Sequence, residues 1–309
     1  MQLPADYYDQ DDSDNVCFLC GNPRYEPLYH VTQFGLDYDF MRCACGLVKQ
    51  TPMPNEKFFA WFFNSEVFFD AEKTPNNEIW GYRDYFIDED CRLATSKRRY
   101  RKMADVFEKG PRLDVLKIGP ATGSFLHVAS EAGHRVAGCD MSKRFIAFAK
   151  ERYNIDIRHG GFEDVDYPDE SFDVIIMFSV LENISRPDIF FEKVRRTLRP
   201  GGAFIMNFVD MENNVVEALQ RDKYFIYRPP ITYTFTRTVM TKVLNKYGFG
   251  VERTLRDVRV SNLEKVLTLG RWQGAYKLAK ALGVERVSFP LWYYPSRIVI
   301  ARRDDTLLA

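Results

Sequence analysis

From Leu113 onward, short apolar runs alternate with stretches whose apolar residues recur every three to four positions. The run Leu113–Ile118 leads into a glycine-rich turn and a helix, and Arg135–Cys139 reads as a second strand followed by a helix over Lys143–Tyr153. A short strand at Ile155–Arg158, a strand at Phe172–Phe178 and a helix at Asp188–Leu198 come next. The turn Arg199-Pro200-Gly201-Gly202 then introduces a strand at Ala203–Phe208. In the last helix Phe190, Val194 and Leu198 share one face, which leaves Lys193, Arg195 and Arg196 outward. Alternation of this kind predicts a parallel sheet with helices on both faces.

Upstream the pattern changes. Between Pro54 and Lys109 aromatic residues cluster as FFAWFF (Phe58–Phe63) and WGYRDYF (Trp80–Phe86), then a basic helix runs towards Gly110. Such a segment is expected to cover a sheet rather than form one. Most of its rings are packing faces, but Tyr82 and Tyr85 can pack by the ring and still present a hydroxyl to a site. Downstream, Asn262–Val284 interleaves Leu263, Val266, Leu267, Trp272, Tyr276, Leu278, Ala279 and Leu282 with Lys265, Arg271, Lys277 and Lys280. A basic amphipathic segment of this kind fits a lid, a homodimer face or a peripheral contact with a membrane surface.

At 309 residues with 46% hydrophobic content, the chain can bury one substantial core and a small satellite module. The expected division is a metal-binding module over 1–53, an aromatic helical segment over 54–110 and the α/β domain over 111–309, with insertions near 210–235 and 262–284. The 43 basic and 43 acidic residues cancel, which removes the positive field of a general nucleic-acid binder, so no nucleic-acid partner is expected. The acidic opening MQLPADYYDQDDSDN has neither the basic start nor the apolar run of a secretory signal, and no stretch is apolar enough to span a bilayer. The expected location is therefore the cytoplasm, where cysteines serve as thiols or metal ligands more often than as disulfides.

Four of the six cysteines fit that expectation, as Cys17-Phe-Leu-Cys20-Gly21 and Cys43-Ala-Cys45-Gly46. Tetrahedral zinc takes four soft ligands converging from two turns, and a glycine after each pair lets the chain curl under the thiolates. The second pair has one intervening residue where two are commoner.

The segment LKIGPATGSFL, Leu116–Leu126, places Gly119 and Gly123 between a buried strand and the start of a helix, a geometry that brings backbone close to a ligand. Dinucleotide and phosphate sites use the same device. Asp140, ending the next strand, adds a carboxylate placed to accept both hydroxyls of a ribose.

Gly119-x-Ala-x-Gly123, Asp140, Phe162-Glu163-Asp164, Ser171-Phe172-Asp173 and Leu198-Arg-Pro-Gly-Gly202 together resemble, in order and interval, the class I S-adenosylmethionine (SAM)-dependent methyltransferases. The cysteine pairs, with Arg42-Cys-Ala-Cys-Gly-Leu-Val48, are similar to the zinc-binding subgroup that acts in sugar and natural-product biosynthesis, and FTRTVMTKVLNKYGF (Phe235–Phe249) is similar to that subgroup's helix before the last two strands. The resemblance implies a Rossmann-like seven-stranded sheet closed by an antiparallel hairpin whose second strand is Arg297–Ala301, with a zinc ribbon and a helical lid. It implies SAM and zinc as cofactors. Gly119, Ala121 and Gly123 would pack on the methionine half of SAM, Asp140 would hold the ribose, Met141 would cover the adenine, and Gly161 and Phe162 would bound its edge. Phe178, Ser179 and Glu182 would line the place where methyl group and acceptor meet.

Three positions depart from the family. Lys117 stands where a carboxylate usually anchors the network around the SAM amino group, and a like charge there is unfavourable unless the side chain snorkels to solvent. Asn183 and Ile231 replace two histidines that often serve as bases. Glu182, Tyr82, Tyr85 and Tyr233 are then the candidate acid, base or positioning groups. The function implied is methyl transfer from SAM to oxygen or carbon of a small biosynthetic acceptor, and the alternative is a non-catalytic SAM-fold partner subunit or sensor.

Overall fold

The computed structural model describes residues 4–9, 16–33, 36–69, 85–108, 112–269 and 272–308. The N-terminal part contributes β1 (Tyr8–Asp9), β2 (Tyr25–Gln33), β3 (Leu36–Cys43), β4 (Val48–Thr51) and β5 (Met53–Pro54), then helices α1 (Glu56–Phe62), α2 (Glu66–Phe69), α3 (Glu89–Lys102) and α4 (Ala104–Phe107). The alternating region follows as β6 (Asp114–Ile118), α5 (Ser124–Glu131), β7 (Arg135–Asp140), α6 (Lys143–Tyr153), β8 (Arg158–His159), β9 (Phe172–Met177), α7 (Pro187–Thr197) and β10 (Leu198–Val209). Helix α8 (Val215–Gln220), β11 (Tyr233–Thr234), α9 (Arg237–Lys246), β12 (Phe249–Asn262), α10 (Leu263–Leu269), α11 (Gln273–Ala281) and β13 (Ser288–Arg303) complete the chain.

Seven strands form the main sheet in the order β12-β13-β10-β9-β6-β7-β8. Strands β6 to β10 pair in parallel, while β13 runs antiparallel to both β10 and β12. This is the α/β Rossmann-like methyltransferase fold. The reason lies in the near-continuous apolar runs: β9 sends Ile175 and Met177 to one face and Val174 and Ile176 to the other. Phe190, Phe191 and Val194 of α7 and Leu244 of α9 cover the first face, and Met103, Phe107 and Phe125 cover the second. Central strands buried on both sides must be apolar at every position.

The last hairpin is longer than the sequence predicts. Register continues from Phe249↔Arg303 to Asn262↔Ser288, and α10 and α11 sit between its strands at the tip. Pro290 and Pro295 hide this extension, because proline argues against a central strand. Here both lie beyond Ser296, where β13 has left β10, so no ladder bond to β10 is lost. The short strand expected at Ile155–Arg158 is correspondingly later, at Arg158–His159.

A second, four-stranded sheet runs β11-β4-β3-β2. Its core joins Val31, Tyr38, Phe40 and Val48 to Tyr224, Ile226, Tyr227 and Ile231 from the stretch after β10. The N-terminal module and the 210–235 insertion therefore share one core. Among the described residues no helix is long and apolar enough to cross a membrane.

Candidate active site

The turn after β6 is built from left-handed backbone, with φ of +58° at Gly119, +50° at Ala121 and +81° at Gly123. A Cβ on Gly119 would meet Val180 Cγ2 at 2.6 Å, so only glycine lets this turn close against the loop leaving β9. Ala121 carries a steric cost of about 1 kcal/mol in that region, offset by Asp140, whose Oδ2 accepts the Ala121 N–H at 3.0 Å. The other oxygen of Asp140 accepts from Ser142 N at 2.9 Å. Burial raises the Asp140 carboxyl, and these two amides oppose that rise.

The turn opens on a cleft of 1510 Å³ lined by Gly119, Ala121, Asp140, Met141, Gly161, Phe162, Phe178, Ser179 and Glu182. With Tyr85, ten of the fourteen residues expected at the cofactor and catalytic positions thus meet in one space. Lys193 fixes the Gly161–Phe162 loop by donating to the carbonyls of Glu163 and Val165 at 2.7 and 2.8 Å. The aromatic segment closes another wall, with Phe59, Phe62, Phe68 and Tyr85. It is docked there by Asn64, which donates to Met141 O at 2.9 Å and accepts from Lys143 N at 3.0 Å.

Two predicted cofactor residues lie one layer back. Gly123 faces α6 instead of the cleft, since a Cβ there would meet Ala149 Cβ at 2.9 Å; its role is helix packing. Lys117 neither snorkels nor lines the cleft. It is buried beneath the turn, its Nζ donating to Gly119 O at 3.2 Å and lying 5.1 Å from the Phe178 ring centroid. Burial, with help from Arg99, brings its pKa down to about 7, against the pull of Asp140.

Glu182 is buried at the far side of the glycine turn's mouth, and its Oε1 accepts from Val209 N at 3.2 Å. Desolvation holds its carboxyl above the ordinary range, although Arg259 and Arg228 lower it in part. Tyr85 lines the cleft within a ring cluster, 4.6 Å from the Phe145 centroid. Tyr82 lies outside the described residues. Tyr233 is a correction: it sits on β11 against Phe18, centroids 5.3 Å apart, because its strand completes the small sheet and carries it away from the cleft. Asn183 and Ile231, which stand where the family often has histidines, line the cleft but are also held by packing and hydrogen bonds. The Asn183 side chain donates to Pro230 O, and Ile231 is buried in the small-sheet core.

Sequence reasoning missed a buried polar layer beside Ser179. Asn207 Oδ1 accepts from Ser179 N at 2.6 Å, and Arg259 Nη2 donates to Ser179 Oγ at 3.2 Å. Asp257 anchors both, accepting from Arg259 Nε at 3.0 Å and Asn207 Nδ2 at 3.1 Å. One signal was readable: Asn207 interrupts the apolar run of β10, and a polar residue there needs partners.

In the N-terminal module the four cysteines converge, with Cys17 and Cys43 packed into the main core. All four Sγ atoms lie within 4.8 Å of one another, with Cys17–Cys45 at 3.7 Å and Cys20–Cys43 at 3.5 Å. A tetrahedron with Zn–S of about 2.3 Å has S–S edges of about 3.8 Å, so the set fits zinc. Amides also face the sulfurs, those of Leu19 and Cys20 towards Cys17, Cys45 towards Cys43 and Leu47 towards Cys45.

The family profile described as "Methyltransferase domain" matches residues 116–206, from β6 to β10. A Mycolicibacterium smegmatis protein described as "Probable S-adenosylmethionine-dependent methyltransferase" is 33% identical over 143 residues, 46% of this chain and 54% of that relative. The chain thus spans about half of that relative's length. Phosphatidylethanolamine N-methyltransferase of Cereibacter sphaeroides is 30% identical over 199 residues, 60% of this chain and 86% of the relative. Among solved structures, a Bacillus halodurans chain assigned as a methyltransferase superposes with a TM-score of 0.50 at 14% identity, covering 67% of this chain and 98% of that one.

Proposed function

The chain belongs to the class I SAM-dependent methyltransferases, and from that premise we propose that it methylates an oxygen or carbon of a small biosynthetic metabolite. The observation that carries the reading is a single cleft joining the Gly119–Asp140 cradle to the Ser179–Glu182 corner. SAM, when bound, supplies an electrophilic methyl group on a sulfonium.

Asp140 holds the ribose hydroxyls with the lone pairs that Ala121 and Ser142 leave open. Met141, Gly161 and Phe162 enclose the adenine, and Phe178 and Ser179 form the floor on which acceptor and methyl group align. In-line alignment supplies much of the rate for such a displacement. Glu182, its carboxyl raised by burial, is placed to take the proton that the acceptor loses, a role that favours a carboxylate with a pKa nearer neutrality. Tyr85 positions the acceptor from the aromatic wall. Relatives named for an N-methyl transfer to phosphatidylethanolamine and for an O-methyl step in ubiquinone biosynthesis support a metabolic acceptor without fixing the atom.

Cys17, Cys20, Cys43 and Cys45 hold a structural zinc, since four thiolates leave no open coordination position. The metal secures the small sheet, to which β11 is joined, and so holds the 210–235 wall of the cleft.

The test is transfer of an isotopic methyl label from SAM into a metabolite extract by wild type and by Asp140→Ala. Label in a discrete product with wild type alone supports the enzyme. SAM binding without labelled product favours the non-catalytic sensor or partner subunit, the reading that Lys117 motivates.

A further inference from the structure

We propose that the acceptor end of the cleft is an anion subsite formed by Arg228 and Arg259, so that the methyl acceptor carries a phosphate or carboxylate. The inference rests on the methyl-transfer reading and specifies its substrate class.

Both side chains line the cleft and both act on the Glu182 carboxyl. Arg259 is held rigidly, its Nε on Asp257 and its Nη2 on Ser179 Oγ. Arg228 sits on a turn clamped to the same corner: Ile231 N donates to Arg228 O at 3.0 Å, and Thr232 N donates to Glu182 O at 2.7 Å. Its own head group has no such tether. The Nε is buried with no hydrogen-bond partner, and the guanidinium makes no ion pair among the described residues.

Charge points the same way. The buried carboxylates Asp257 and Glu182 are faced by three guanidiniums, those of Arg99, Arg228 and Arg259, while the buried Asp210 has its own partners in Arg237 and Arg297. Asp257 is shared between Arg99 and Arg259, while burial pushes Glu182 towards its neutral form. The corner therefore holds excess positive charge together with an unsatisfied buried donor, an arrangement that is costly unless an anion completes it. A planar fork on a fixed turn suits the paired oxygens of a phosphate or carboxylate.

The experiment uses the full chain, zinc-replete and saturated with S-adenosylhomocysteine. Phenyl phosphate and benzoate are titrated by calorimetry, with benzyl alcohol as the neutral comparator, against wild type, Arg228→Met and Arg228→Lys. At least one anion should bind wild type more tightly than benzyl alcohol and lose about tenfold or more in Arg228→Met, the size expected for a charge-assisted bond. Arg228→Lys should recover part of it. Preference for phenyl phosphate assigns a phosphorylated acceptor, and preference for benzoate a carboxylated one. Equal anion affinity in wild type and Arg228→Met overturns the proposal, as does no advantage of either anion over benzyl alcohol. Loss of S-adenosylhomocysteine affinity in Arg228→Met also overturns it, since the arginine then serves the cofactor's own carboxylate. Should Arg228→Met fail to melt cooperatively, Arg228→Gln is read in its place. Failure of the methyl-transfer reading is distinct, because it shows as no labelled product from SAM with wild type, whatever the anion affinities are.

Discussion

Arg99 on α3 closes on Asp257 of β12, its Nη2 lying 2.8 Å from Oδ1 and 2.7 Å from Oδ2 of a fully buried carboxylate. The pair ties the aromatic helical segment to the extended hairpin and sets Arg259 beside Ser179. Asp257→Ala would leave the largely buried Arg99 and the partly exposed Arg259 facing each other without a counter-charge. We expect destabilisation of about 3–5 kcal/mol, measured as a fall in urea midpoint at unchanged slope. A change below about 1 kcal/mol would mean that water reaches the site and screens it. Burial alone would raise the Asp257 carboxyl, but Arg99 and then Arg259 outweigh it and hold it well below the ordinary range. The pair's contribution is therefore complete above the unfolded pKa and is lost only as pH falls below about 4.

Asp140→Ala removes a ribose acceptor and also the acceptor for Ala121 N, which sits in strained left-handed backbone. SAM and S-adenosylhomocysteine should weaken together, by about tenfold or more for charge-assisted bonds, because both carry the ribose. Asp140→Asn should restore part of that affinity. Unchanged calorimetric affinity for both ligands would place the cofactor elsewhere.

Freshly purified protein, prepared without chelator, should contain about one zinc per chain. Such sites contribute folding energy directly. Cys43→Ser should lose the metal and loosen the small sheet first, read as faster amide exchange in β2 to β4 and in β11. Elemental analysis finding no zinc would refute the assignment.

The parallel sheet was legible because its strands are buried on both faces and its helices are amphipathic. Local periodicity alone separates β9 from α7. The cradle was legible too, since Gly119, Ala121 and Asp140 act through backbone geometry that constrains residue type. What escaped depends on contacts between distant segments. Asp257 and Arg259 read as ordinary polar strand residues until the hairpin folds over Ser179, and Arg228 lies in a segment whose only local signals are prolines. Tyr233 looked like a site residue for the converse reason. Its neighbours in sequence approach the cleft, yet strand pairing with β4 turns its ring towards Phe18.

Lys117 supplies the sharpest test, because its position converts charge into a pH dependence. With a folded pKa near 7, set by burial and by Arg99 against Asp140 and Cys139, the ammonium forms in the folded state only below about pH 7. In the unfolded chain it persists to about pH 10. Between those limits the unfolded state holds the extra proton, so stability rises with pH. The disadvantage of wild type relative to Lys117→Met should accordingly shrink from pH 7 to pH 10. Binding follows the same sign. A charged Lys117 beneath Gly119 repels the sulfonium of SAM, which S-adenosylhomocysteine lacks, and deprotonation removes that repulsion. The affinity ratio of SAM to S-adenosylhomocysteine should rise as pH passes through about 7 in wild type and stay flat in Lys117→Met. A ratio independent of pH in wild type would mean that Phe178 and the Gly119 carbonyl shield the sulfonium from the ammonium altogether.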